Sequence, residues 1–385
     1  MPASREPASL LSVDRAVSEL RRGRMVAVRA AGGEAALALA SEAATPEALE
    51  RLGKLSGEKF FLAITARRAD VLGLTDTLSK TGTSSMADGE AKVVVLSPES
   101  GVCAEILRDI ADPLAKLSPA DRPTFDVADA ARYGCASAAV GLAKVARLLP
   151  AALCAPIVDP EADDLDAWAG RHDLFVVDAG DVFQYEHTTA RTLKKVSEAQ
   201  VPLDGAENTR IIAFRPIDGG LEHLAVLIGE PGPGQAVLTR LHSECFTGDL
   251  LGSLRCDCGE QLRAAITAIG VEGCGALLYL AQEGRGIGLV NKLRAYELQD
   301  QGFDTIEANE QLGFDADERV YLPAAQMLRR LGIDSVRLLT NNPDKVEALA
   351  RCGVDVVERV PHRFPSNRHN ETYLRTKQVR SGHLF

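Results

Sequence analysis

The sequence predicts a mixed α/β (α+β) protein of two domains, and three observations carry that expectation. At 385 residues the chain exceeds what one ordinary core organises and suits two domains of roughly 150 to 200 residues each. From residue 13 to about residue 181, helical and strand patterns alternate, as in an α/β unit. Beyond about residue 190 the pattern opens on β-type runs parted by Asp-Gly-Gly and Pro-Gly-Pro-Gly turns, then returns to helix and strand in alternation. The expected domains are residues 1–190 and 191–385.

Taken in order, AVSELRRG reads as helix, MVAVRA as strand, TPEALERLGKL as helix, and FFLAITA and KVVVLS as strands. Residues 141–149 read as a further helix stopped by Pro150, and residues 174–177 as a short strand. EHTTARTLKKVSEA is polar and basic, the look of a linker or connecting helix. In the second half, TRIIAFRP, EHLAVLIGE and AVLTRLHS suggest antiparallel hairpins. Helices are then expected over residues 259–269, 288–301 and 324–331, a buried strand over 275–281 and another over 335–340.

Composition narrows the function class. Hydrophobic residues make up 46% and charged residues 25%, the balance of a soluble globular enzyme. The N-terminal stretch has no run of signal-peptide type, and no stretch approaches the roughly 18 apolar residues that span a bilayer, so a cytoplasmic protein is expected. In that reducing compartment the eight cysteines divide between buried small hydrophobes and metal or catalytic thiolates. A net charge of -11 argues against nucleic-acid or membrane partners. An anionic substrate would need a local basic cluster.

Cys245, Cys256 and Cys258 lie close together in HSECFTGDLLGSLRCDCGEQL, where three soft sulfurs favour zinc. Structural zinc sites close with four protein ligands, whereas catalytic ones keep a position open for water. Three cysteines without a fourth nearby therefore point to chemistry, although ordinary buried cysteines would show the same spacing. His242 and Glu244 flank the cluster and stay open as a fourth ligand or as groups that orient the others. Cys103, Cys135, Cys154, Cys274 and Cys352 stand singly and read as packing residues.

Downstream, GALLYLAQ runs into EGRGIGLVNKLRAYEL, a glycine-rich turn opening a helix, where backbone N–H groups favour an anion. With Arg285 in the turn, Arg240 before the cysteines, and Arg319 and Lys345 later, four cations could neutralise a triphosphate. DADER sets Asp317 and Arg319 ahead of a helix, and VRLLTNNPDKVEAL sets Thr340 and Lys345 at the carboxyl end of a strand, where α/β sheets bind ligands.

Together, RLHSECFTGDLLGSLRCDCGEQL, QEGRGIGLVNKLRAYELQDQG, DTIEANEQLGFDADER and LLTNNPDKVEAL closely resemble GTP cyclohydrolase II, from about residue 191 to 385. The resemblance implies zinc on Cys245, Cys256 and Cys258, one ion per subunit. It implies GTP against Arg240, Leu241, His242, Ser243, Glu244, Gln261, Glu283, Gly284, Arg285, Thr305, Thr340 and Lys345, with Mg2+ on the phosphates. Asp317 matches the family's proton acceptor, Tyr296 its tyrosine beside the reacting base, and Arg319 the residue assigned as nucleophile. A guanidinium also suits stabilisation of a developing phosphate charge, and both roles stay open for Arg319. The reaction implied opens the guanine imidazole ring at C8 with loss of formate and pyrophosphate, in a homodimer.

The first half distantly resembles dihydroxybutanone phosphate synthase through AVSELRRGRMVAVRA, ASEAATPEALERL and FFLAITARRADVLGL. Where that family has a carboxylate-rich magnesium loop, this chain has RAAGGEAALAL with Glu34 alone. Where it has Arg-Ala-Gly-His-Thr-Glu, this chain reads RYGCAS, with Cys135, Ala136 and Ser137 in place of the acid-base groups. A retained fold without synthase activity is expected. The competing readings are a bifunctional enzyme, a cyclohydrolase acting on another base, and a zinc-stabilised nucleotide sensor.

Overall fold

The computed structural model describes residues 6–57, 59–74, 92–99, 101–115, 117–118, 122–158, 164–232 and 234–362. In chain order its elements are α1 (Glu6–Arg21), β1 (Val26–Arg29), β2 (Ala35–Ala40), α2 (Pro46–Ser56), β3 (Phe61–Thr65), α3 (Ala66–Val71), β4 (Val93–Pro98), α4 (Ala104–Ala111), β5 (Phe125–Asp129), α5 (Cys135–Val145), β6 (Ala151–Pro156), α6 (Leu165–Arg171), β7 (Val176–Asp178) and α7 (Ala179–Arg191). There follow β8 (Lys194–Gln200), β9 (Thr209–Arg215), β10 (His223–Ile228), β11 (Val237–Ser243), α8 (Cys258–Glu272), β12 (Gly275–Leu280), α9 (Leu289–Asp300), α10 (Thr305–Gln311), α11 (Leu322–Arg330), β13 (Ser335–Leu339), α12 (Pro343–Arg351) and β14 (Asp355–Val360). None of the described helices is long and apolar enough to cross a membrane.

The chain forms two compact units. The first takes the described residues up to Tyr185 together with Val290–Glu318, and the second takes Glu186–Leu289 with those from Arg319 on. A single boundary near residue 190 does not describe the excursion of Val290–Glu318, which carries α10 and nearly all of α9.

The first unit is built on a sheet in the order β5-β4-β3-β6-β2-β1-β7, antiparallel throughout except for the parallel pair β1 and β7. In α1, Leu10, Val13, Val17 and Leu20 recur at helical spacing. They share one core with Ala139 and Leu142 of α5 and with Val26, Val28, Ala36 and Ala38, the alternate residues of paired strands. Local signals start and stop α2: Thr45 accepts from Ala48 N, Pro46 opens the helix, and Gly57 closes it in the left-handed region at φ 68°. In this unit α10 packs on α3, and a capping box of Asp304 and Glu307 starts it.

Three local expectations change. The stretch after β1 is not only a loop, because Gly32 and Gly33 turn the chain at positive φ and residues 35–40 return as β2, with Arg29 opposite Ala35. The helix expected over 141–149 runs over Cys135–Val145. Its alanines belong to the buried face, and Arg147 leaves the helical region at φ 59° before Pro150 is reached. The expected linker is α7 followed by β8, every residue of β8 being exposed at the sheet edge, so that charge masks the strand.

In the second unit the sheet order is β14-β13-β11-β12-β10-β9-β8. Strands β14, β13, β11 and β12 run parallel, and β10, β9 and β8 continue the sheet antiparallel. The hairpin expected for AVLTRLHS does not form; β11 sits centrally between β12 and β13. Its alternate residues serve two cores. Val237 and Leu241 pack in one that includes Ala324 and Leu328 of α11 and Leu349 of α12, while Leu238 packs in another with Ala265 and Ile269 of α8. From β11 the chain goes to β12 on one side and later returns on the other side as β13, a topological switch at the carboxyl end of β11.

Candidate active site

The expected cysteines gather at that switch. Cys245 follows β11 and is buried, Cys256 lies in the returning loop, and Cys258 opens α8. Their sulfurs all lie within 4.8 Å of one another, with Cys245 Sγ and Cys256 Sγ 3.7 Å apart. A tetrahedral ion with zinc–sulfur bonds of about 2.3 Å requires sulfurs about 3.8 Å apart, so the donor set and its spacing fit zinc. Among the described residues, no fourth histidine, cysteine or carboxylate joins the group. Without a cation the thiols oppose one another's ionisation: the hydrogen bond with Cys245 pushes Cys256 up to about 11, and hydrogen bonds with both partners, followed by burial, hold Cys258 well above the ordinary thiol range.

The backbone makes room for this cluster. Residues Phe246–Leu250 form one wide helical turn, in which a Cβ on Gly248 would stand 2.7 Å from Cys256 Sγ and 3.0 Å from Cys245 Sγ. Gly259 backs it, since a Cβ there would reach Gly248 O at 2.2 Å. Gly248→Ala is therefore expected to destabilise the unit by about 3 kcal/mol and to lower the metal bound per chain. Urea denaturation and elemental analysis check this; a wild-type midpoint with full metal content would refute it.

The sequence did not flag Asp249, yet it organises the turn. Its buried carboxylate accepts from Cys245 N at 3.0 Å, Tyr279 Oη at 2.9 Å and His242 Nε2 at 3.1 Å. Burial lowers His242 below the usual imidazole range, so the ring is neutral, and its Nδ1 is buried without a hydrogen-bond partner. Burial raises the Tyr279 hydroxyl, which keeps the proton that it donates. Glu283, also buried, accepts from Phe246 N at 2.6 Å and Gly284 N at 3.0 Å, tying the glycine-rich turn after β12 to the cysteine loop. In that turn Gly284 and Arg285 are both left-handed, at φ 65° and 61°.

Expected cations of the second unit cluster beside these groups. Arg240 is buried, donates to Leu339 O at 2.9 Å and to Gln261 Oε1, and leaves Nε without a partner. Burial lowers it to about 10, so it stays charged at neutral pH. Arg319 is close enough to oppose that charge and lies over the Tyr321 ring at 5.9 Å. Buried Lys345 donates to Leu241 O at 3.4 Å, and Thr340 Oγ1 accepts from Asn342 N at 3.0 Å at the end of β13. Ser243 ends β11, and Glu244 N continues the pairing to Leu280 O. Asp257 and His362 were also missed: Asp257 accepts from Gln261 Nε2, and His362 Nε2 lies 2.9 Å from Gln261 O and is pushed down to about 4 by burial.

Three expected residues belong to the first unit. Tyr296 on α9 is half-buried, with Lys292 Nζ 5.7 Å from its ring centre; Thr305 opens α10 and accepts from Gln299 Nε2 at 3.4 Å; Asp317 is exposed in the turn after α10. At the head of α5, Cys135 donates to Val28 O at 3.3 Å, and burial pushes its thiol up to about 12.

A family model described as GTP cyclohydrolase II matches residues 194–361. The chain is similar to the GTP cyclohydrolase-2 of Azospirillum brasilense, 55% identical over 99% of this chain and 95% of that one. It is also similar to the riboflavin biosynthesis protein RibBA of Nocardia farcinica (strain IFM 10152), 37% identical over 97% of this chain and 95% of that one. Among solved structures, RibBX of A. baumannii, a two-domain 3,4-dihydroxy-2-butanone 4-phosphate synthase, matches at 18% identity and a TM-score of 0.37, covering 85% of this chain and 93% of its own. The family model and the two sequence relatives, with the fold, define the class, a mixed α/β hydrolase. The chain belongs to the GTP cyclohydrolase II family.

Proposed function

We propose that the chain catalyses zinc-dependent hydrolysis of GTP to 2,5-diamino-6-(5-phospho-ribosylamino)pyrimidin-4(3H)-one, formate and pyrophosphate, the first step of riboflavin biosynthesis. The observation that carries this reading is the set of three sulfurs at zinc spacing with no fourth protein ligand among the described residues, at the carboxyl end of a central strand. Zinc, when bound, supplies a Lewis acid that activates water near neutral pH.

The chain's own residues supply the rest. Water adds at C8, the ring C–N bond breaks to a formamide, and a second water releases formate; a third cleaves pyrophosphate from the chain of phosphates. Arg240 and Lys345, both buried and cationic, hold phosphate oxygens together with Arg285, and Mg2+ accompanies the triphosphate. Asp317 accepts the proton and Tyr296 stands by the base. Arg319 adds its charge to that of Arg240 and stabilises the departing pyrophosphate; intact-mass detection of a covalent Arg319 adduct would replace this role with nucleophilic attack.

The first unit contributes no synthase chemistry in this reading. Glu34 is the one acid left in the former magnesium loop, and the Cys135 thiol keeps its proton. Formate release from GTP by purified full-length chain, with and without a zinc chelator, tests the proposal. Formate that disappears on chelation and returns with zinc is expected. No formate, or only the formamide, overturns it.

A further inference from the structure

The segment that carries Asp317 is held by residues of the first half of the sequence. Arg67 Nε donates to Asp315 Oδ1 at 2.6 Å, and Lys144 Nζ donates to Glu318 Oε1 at 2.7 Å, so each flank of Asp317 is gripped by a cation from α3 or α5. Glu318 Oε1 also accepts from Asp315 N at 2.7 Å, closing the turn on itself. Just upstream, Thr65 Oγ1 donates to Gly313 O at 2.7 Å in a buried bond. Gly313 takes φ 86°, and a Cβ on it would stand 2.8 Å from that hydroxyl. The bonds from Thr65, Arg67 and Lys144 join residues more than 170 positions apart, all inside the first unit.

We propose that the first unit, having lost its own chemistry, is retained as a mount that fixes the Asp315–Glu318 turn, with Lys144 and Arg67 as positioning residues for Asp317. The inference rests on the proton-acceptor role proposed above. A carboxylate in an exposed turn has many conformations, and two ion pairs on its neighbours, one of them half-buried, remove most of them. A 1 Å misplacement of a reacting group can cost about a hundredfold in rate, far more than such pairs contribute to stability.

The test uses the full-length chain, loaded with zinc. Lys144→Met combined with Arg67→Met is expected to lower kcat by about tenfold to a hundredfold, to leave the KM for GTP and the zinc per chain unchanged, and to speed amide exchange over residues 313–318. Lys144→Arg is expected to keep most of the turnover. The charge exchange K144E with E318K is expected to recover part of what K144E alone loses. Faster exchange over 313–318 with kcat unchanged overturns the proposal, as does a loss of kcat accompanied by lost zinc. The wild-type chain separates the two readings: absence of formate release there overturns the activity itself, whereas normal wild-type turnover with an unaltered double variant overturns the mount alone.

Discussion

Cys258→Ser is expected to strip the proposed zinc from the purified chain, with metal content falling from one ion per chain to below about a tenth and formate release falling at least a thousandfold. Cys258 opens α8, so its backbone is fixed by the helix and the sulfur cannot be replaced by a neighbour shifting along the loop. Serine offers an oxygen that binds zinc weakly and stays protonated at neutral pH, which leaves two thiolates. Two sulfurs cannot close a site that, among the described residues, has no fourth ligand in reserve. Elemental analysis of protein purified without chelators gives the first number and an assay of formate the second. Full metal content in the variant would show that the ion is held elsewhere.

Asp249→Ala is expected to cost the second unit about 3–5 kcal/mol, read as a shift of the urea midpoint at constant slope. The substitution strands three donors, the Cys245 amide, the Tyr279 hydroxyl and the His242 ring, in a place that water does not fill freely. Asp249→Asn is the sharper probe. It keeps one oxygen but points an amide N–H2 at a neighbour that is itself a donor, so it is expected to recover less than half of the loss. Because the carboxylate shapes the turn that begins at Cys245, both variants should also bind zinc more weakly, by about 10- to 100-fold, the usual range for groups that orient ligands. Equal stability of the wild-type and alanine chains would remove Asp249 from this role.

The contrast between Cys245 and Asp249 shows what the amino-acid order made legible. The three cysteines, the glycine-rich turn and the strand ends at Ser243 and Thr340 are local signals, because ligand type, left-handed glycines and β-pattern are written in neighbouring positions. Asp249 stands in TGDLL, where an aspartate is an ordinary turn residue; its importance comes from Tyr279, 30 positions on, and from a turn geometry that no periodicity announces. His362 reaches Gln261 across 101 positions. The same distinction governs the fold. Strand β8 was hidden because an exposed edge carries charges on both faces, and the central place of β11 depends on a crossover, which a hairpin-like pattern does not reveal.

The excursion of Val290–Glu318 into the first unit also sets a schedule for biosynthesis. Thr65 finds its partner 248 residues later, so a growing chain that has finished residue 185 still lacks two of the helices its first unit needs. At a translation rate of roughly 5–20 residues per second the delay is about 7–27 s. Through that interval the carboxylates that pair with Arg67 and Lys144, Asp315 and Glu318, are not yet made. A fragment ending near residue 190 is expected to lack the bonds from Thr65, Arg67 and Lys144 to residues 313–318, and with them part of what completes the first unit.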